Sequence, residues 1–291
     1  MSTIRLLVVN GCSFARGAEL AEPDRDAWPA VLGRELGIGV VNLACDGGSN
    51  RRAVRTTVQH LESIRAAHGI GYDQILFVGM WTALSRNEYY DGGIEDGPVR
   101  PDLGVRPALP EELHWQRVAD WKAAEGDKPS KAYLRHLFNT TGETVNFFVD
   151  WLLLEHHLTG HGVPSRYAFA WEILPDPIPA EAVPVMHALR ADLVFGRLPP
   201  RPEETFREMV FGRVPFGDWD HPLREGHRHF ADAMLHWLAG DERLRFPLNQ
   251  RNDLTGGSNE TRRTDQTAGS DVTGRSNDVT GRSGVTGRGG G

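Results

Sequence analysis

The chain has 291 residues, 40% hydrophobic and 24% charged, a balance that fits a soluble globular protein. Lys and Arg number 32 against 39 Asp and Glu, giving −7 overall; the segment from Arg251 carries six Arg against five acids, so the rest is near −8. That sign argues against a nucleic-acid-binding surface, and no apolar run reaches the roughly 18 residues a membrane span requires.

The first segment has one Arg and an apolar run too short for a secretory signal, so it reads as the opening strand of a cytoplasmic protein. Residues 4–9 are β-branched and Leu-rich and end at Asn10-Gly11, the pattern of a buried parallel strand. A helix over 28–36 closes at Gly37. A second strand at 40–43 runs into Asp46-Gly47-Gly48-Ser49-Asn50, where Ser49 or Asn50 can cap a long helix reaching about His68. Residues 74–78 form a third strand, stopped by Gly79. Strands alternating with helices predict a parallel sheet covered on both faces.

Beyond this, 91–110 is rich in Gly, Pro and Asp and reads as a loop. Residues 111–124 and 132–157 read as helices, the second with a break near 140–142. A fourth strand is predicted at 166–172 and loops at 175–184 and 197–202. The closing helix, 225–238, sets Phe230, Met234, Leu235, Trp237 and Leu238 at roughly helical spacing. The folded domain is expected over 1–248, with 81–161 a helical insertion covering the substrate. From Asn249 bulky apolar residues almost vanish, and D-V-T-G-R-S starts at Asp271 and again at Asp278. One Val per seven residues makes no coiled-coil seam, so 249–291 reads as a disordered tail.

Three segments carry chemistry. Ser13, in Gly11-Cys12-Ser13-Phe14, falls on the turn from strand one into a helix, beside free N–H groups and a positive helix end; an N-cap role is the plain alternative. Asp218-Trp219-Asp220-His221-Pro222 offers a carboxylate three residues before a histidine, suited to orienting it toward a hydroxyl nucleophile, or simply an acidic surface loop. The turn at Gly47 lets backbone approach a ligand and can point an N–H at a developing oxyanion. Two cysteines, Cys12 and Cys45, allow neither a disulfide framework nor a four-cysteine metal site, and Cys12 is expected to be a packed thiol. His156, His157 and His161 lack acidic or cysteine partners for zinc. His227, His229 and His236 are expected in exposed or capping roles, and most of the tryptophans in the core, Trp219 excepted.

Together, Gly11-Cys12-Ser13-Phe14, Asn42 with Gly47, and Asp218-x-x-His221-Pro222 resemble the SGNH hydrolases of the GDSL esterase and lipase superfamily, in particular a "GCSF" subgroup. The resemblance spans positions 11 to 222. It implies a flavodoxin-like three-layer α/β/α fold, Ser13 as nucleophile, His221 as general base, Asp218 orienting His221, and the Ser13 and Gly47 N–H groups in the oxyanion hole. It implies two-step acyl transfer, through an acyl-Ser13 intermediate that is then hydrolysed, without metal or organic cofactor, on a small-molecule acyl ester or acylated carbohydrate; the charge and hydropathy above argue against nucleic acid and membrane as partners. The family's third block, Gly-x-Asn-Asp, here reads Gly79-Met80-Trp81-Thr82. Trp cannot donate as the Asn does, so Thr82, Ser85 or Arg86 must substitute, Arg86 being preferred because a guanidinium can also hold an anion. Two other readings stay open: acyl transfer to an acceptor other than water, including the Thr-Gly-Arg units of the tail, and a catalytically silent binding protein.

Overall fold

Buried β-branched and aromatic runs alternate with capped amphipathic helices, and the chain folds accordingly. The computed structural model describes residues 2–90 and 115–247. In chain order the elements are β1 (Leu6–Asn10), α1 (Ser13–Arg16), α2 (Pro23–Asp26), α3 (Trp28–Leu36), β2 (Gly39–Asn42), α4 (Asn50–His68), β3 (Ile75–Trp81) and β4 (Asn87–Tyr90). Then come β5 (Trp115–Val118), α5 (Asp120–Ala124), α6 (Lys128–His136), α7 (Thr140–Gly160), β6 (Ser165–Phe169), α8 (Val183–Ala188), α9 (Phe206–Val210) and α10 (Arg224–Ala239).

The sheet is parallel throughout, in the order β2-β1-β3-β6. Period-two alternation sends its side chains to opposite faces. Leu7, Val9, Leu76, Val78 and Met80 pack with Trp28, Leu32, Phe230, Met234 and Leu238 of α3 and α10. Leu6, Val8, Phe77, Trp81, Tyr167 and Phe169 pack with Leu61 of α4 and Phe147, Phe148, Trp151 and Leu154 of α7. The fold is therefore three layers, α/β/α, as expected. Each fully buried large side chain contributes about 1.5–3 kcal/mol. No helix among the described residues is long and apolar enough to cross a membrane.

Ser49, not Asn50, caps α4: its hydroxyl accepts the Arg52 N–H at 3.1 Å. That frees the Asn50 amide to grip the end of β3, accepting the Thr82 N–H and donating to the Thr82 carbonyl, both at 2.8 Å.

The middle of the chain departs from expectation. Residues 115–118 are a strand, not part of a helix, because they pair antiparallel with β4. Arg55 of α4 clamps this hairpin, reaching Glu88 through two bonds of 2.6 and 2.9 Å and lying 4.0 Å over the Trp115 ring. The break expected near 140–142 in the 132–157 helix falls slightly earlier, at 137–139 between α6 and α7, because Asn139 caps the second by accepting the Gly142 N–H. Within the expected 175–184 loop and after it, α8 and α9 are short helices with few apolar periods to announce them. The expected loop at 91–110 and the tail from Asn249 lie outside the described residues.

Candidate active site

At the C-terminal ends of β1 and β2 two turns press together. Gly11 sits so near the neighbouring strand that a Cβ would lie 2.7 Å from the Met80 carbonyl oxygen. The Cys45 N–H donates to the Gly11 carbonyl at 3.3 Å, and a Cβ on Gly48 would lie 2.8 Å from that same oxygen. Asn10 anchors the turn from below, its amide donating to the Ala53 carbonyl and the Thr56 and Thr57 hydroxyls at 2.8–3.0 Å. Asn42 ties the second turn to the first by donating to the Ala15 carbonyl at 2.9 Å. Glycines thus set Ser13 and Gly47 side by side. Neither the Ser13 nor the Gly47 N–H is taken by a backbone acceptor among the described residues.

Above them opens a cleft of about 980 Å³ whose walls include Ser13, Phe14, Glu19, Asp46, Gly47, Arg86, Trp121, Trp171, Trp219 and His221. Ser13 and His221, 208 positions apart in sequence, share this cleft without a hydrogen bond between them; such bonds commonly tighten only with substrate present. The Phe14 ring backs the imidazole at 5.3 Å between centroids and rests on Trp171 and Phe206.

The carboxylate at His221 is Glu19. Its Oε2 accepts from Nδ1 at 2.8 Å, and it also takes the Trp219 N–H at 3.0 Å and the His221 N–H at 3.3 Å. Burial pushes the Glu19 carboxyl up, but these hydrogen bonds and the His221 charge hold it below the ordinary carboxylate range. An ionised carboxylate can only accept, so Nδ1 carries the proton of this contact. Asp218, expected in this place, is exposed and accepts no hydrogen bond among the described residues. The reason is the shape of the turn. Gly217 donates to the His221 carbonyl and Asp220 to the Gly217 carbonyl, and the Trp219 and His221 N–H groups converge on its inner side. Glu19 fills that concavity, and Asp218 is left outside. Asp220 fastens the turn to Arg207, whose Nη2 donates to it at 2.7 Å.

Of the expected oxyanion-side residues, Gly47 and Arg86 line the cleft and Thr82 does not. Thr82 is buried behind Arg86, its hydroxyl accepting from Arg86 Nη1 at 3.1 Å. The guanidinium lies 4.9 Å from the centre of the Trp171 ring. Trp81, where the SGNH resemblance would lead one to expect an Asn, is 1% exposed and stacked on Tyr167 at 5.6 Å, so it faces the core rather than the cleft. Asp46 also lines the cleft, and burial pushes its carboxyl up. Trp121 covers Gly47, close enough that a Cβ there would stand 3.2 Å from its ring. Arg117 holds this cover down by donating to the Asp46 carbonyl. Cys12 is buried beside the serine as a free thiol.

The serine turn, the glycine turn and the carboxylate-paired histidine lie at the C-terminal edge of a parallel α/β/α sheet, the edge at which open α/β sheets bind ligands. The chain belongs to the family of unknown function DUF6071, which it matches over residues 17–251. No curated protein matches it in sequence. Solved structures with similar folds include TesA, at 13% identity over 80% of this chain and 98% of that one, with a TM-score of 0.43. A catalytic mutant of Axe2, an acetylxylan esterase from Geobacillus stearothermophilus, is 14% identical over 84% and 98%, with a TM-score of 0.42. The salicylyl-acyltransferase SsfX3 from a tetracycline biosynthetic pathway is 16% identical over 84% of this chain and 57% of that one, with a TM-score of 0.38.

Proposed function

We propose that the protein hydrolyses a small acyl ester through an acyl-Ser13 intermediate. The observation that carries this reading is the meeting of Ser13, Gly47 and a carboxylate-paired His221 in one cleft. In the forward step Ser13 Oγ bonds the carbonyl carbon and its proton passes to His221 Nε2. The Ser13 and Gly47 N–H groups, with Arg86, stand on the oxyanion side. The ester bond then breaks, the alcohol leaves with the proton from His221, and water repeats the sequence to free the acid.

The walls bear on the substrate. Glu19, Asp46, Glu125, Glu172, Glu208 and Asp220 face the cleft against Arg86 and Arg207. Six carboxylates against two guanidiniums disfavour anionic esters and thioesters. Three indoles, Trp121, Trp171 and Trp219, offer flat faces to an uncharged ring. An acetylated carbohydrate or similar neutral metabolite fits this lining, and a cytoplasmic setting goes with that reading.

Steady-state hydrolysis of paired neutral and carboxylate-bearing acetyl esters tests the proposal. The neutral member should be favoured about tenfold or more in kcat/KM, and Arg86→Gln should lower kcat by about 10²–10³-fold. Equal turnover by Ser13→Ala would contradict it.

A further inference from the structure

Among the described residues, two that are not glycine hold a left-handed backbone: Glu19, at φ 64°, and Asp220, at φ 61°. Left-handed geometry is strained in a residue with a Cβ, and it persists where surrounding contacts impose it. Both residues belong to the loops that meet at His221. The first loop follows the nucleophile helix α1, closed by Gly17 and Ala18, whose N–H groups both return to the Ser13 carbonyl. The second is the 217–221 turn. A Cβ at Gly217 would stand 2.5 Å from the Glu19 carboxylate, so an alanine there would displace that side chain from its present seat.

We infer that Glu19 is the positioning carboxylate of this site, and that the two loops form a buckle in which Glu19 fixes the tautomer and direction of His221. This rests on the reading of Ser13 and His221 above. Its consequence is an unusual economy of chain: nucleophile and orienting acid come from one segment, six positions apart, and the histidine alone comes from the C-terminal part. Asp220, by pairing with Arg207, holds the outer side of the turn, and Asp218 has no part in orienting the ring.

The contact itself can be read without activity. In the ¹⁵N-labelled full chain, the hydrogen-bonded Nδ1–H of His221 should give a downfield ring-proton resonance, present in the native protein, in Ser13→Ala and in Asp218→Asn. It should be absent in Glu19→Gln and in Gly217→Ala, the latter leaving the carboxylate's chemistry intact while blocking its approach. Turnover should follow the same division. Glu19→Gln should lose about 10²–10⁴-fold in kcat with little change in KM, Glu19→Asp should regain part of it, and Asp218→Asn should stay near native. A resonance that survives Glu19→Gln and disappears in Asp218→Asn would overturn the inference. A resonance that behaves as expected in a protein with no esterase activity would support the pairing and instead refute the serine-nucleophile reading.

Discussion

His227 shows how one buried side chain couples this site to the whole fold. It is fully buried, its Nδ1 accepts the Trp28 N–H at 3.1 Å, and burial pushes its pKa down to about 3. Of the exposed or capping roles expected of it from sequence, the exposed one is overturned, and His227 is a buried, neutral acceptor for the first N–H of α3. Unfolded, the same imidazole titrates near 6.5, so between the two values the unfolded chain binds more protons. Stability from this group is complete above about pH 6.5 and is lost as pH falls toward 3, at up to about 1.4 kcal/mol per pH unit. Denaturation midpoints measured from pH 7 to pH 4 should fall, and His227→Gln should flatten that slope. Residue-level legibility was uneven for a reason that Glu19 makes plain. Ser13 and His221 sit in short local patterns, whereas Glu19 acts across 202 positions with no spacing to betray it. Asp218 has the right spacing, but the left-handed residue Asp220 turns the chain so that it points away.

Elements set these residues in register, and the glycine turn after β2 is the most exacting. Gly48→Ala would put a Cβ 2.8 Å from the Gly11 carbonyl and 3.0 Å from that of Cys45, backbone atoms that cannot yield cheaply. It should cost about 1–3 kcal/mol by denaturant titration and also slow ester turnover, since Gly47 and Ser13 would be pushed apart. Gly69→Ala, at a left-handed position with nothing within 4 Å of the added Cβ, should cost only about 1 kcal/mol and leave turnover unchanged. Strands β1, β2 and β3 and helices α3, α4 and α10 were legible because their apolar periods and caps agree. The β5 strand was not, since Trp115-Gln116-Arg117-Val118 owes its form to β4 and to the Arg55–Glu88 clamp rather than to its own pattern. The break between α6 and α7 was legible only approximately, through an Asn cap a residue or more from the expected Thr140–Gly142 break.

At the scale of the whole molecule, the parallel order β2-β1-β3-β6 brings the turns after β1 and β2 to one edge, and the Pro222–Leu223 approach to α10 delivers His221 there from the far end of the chain. The core was readable from alternation and composition; the chemistry of the cleft was readable only in part, because the acid and the cover come from segments whose contacts are long-range. The central claim is that this assembly makes Ser13 a nucleophile that depends on His221. Intact mass after exposure of the folded full chain to a fluorophosphonate tests it most directly, with Ser13→Ala and His221→Ala alongside. The account predicts a single adduct on Ser13 in the native protein, none in Ser13→Ala and a severe loss in His221→Ala. A folded native chain that takes no adduct, or an adduct that survives Ser13→Ala, would contradict it.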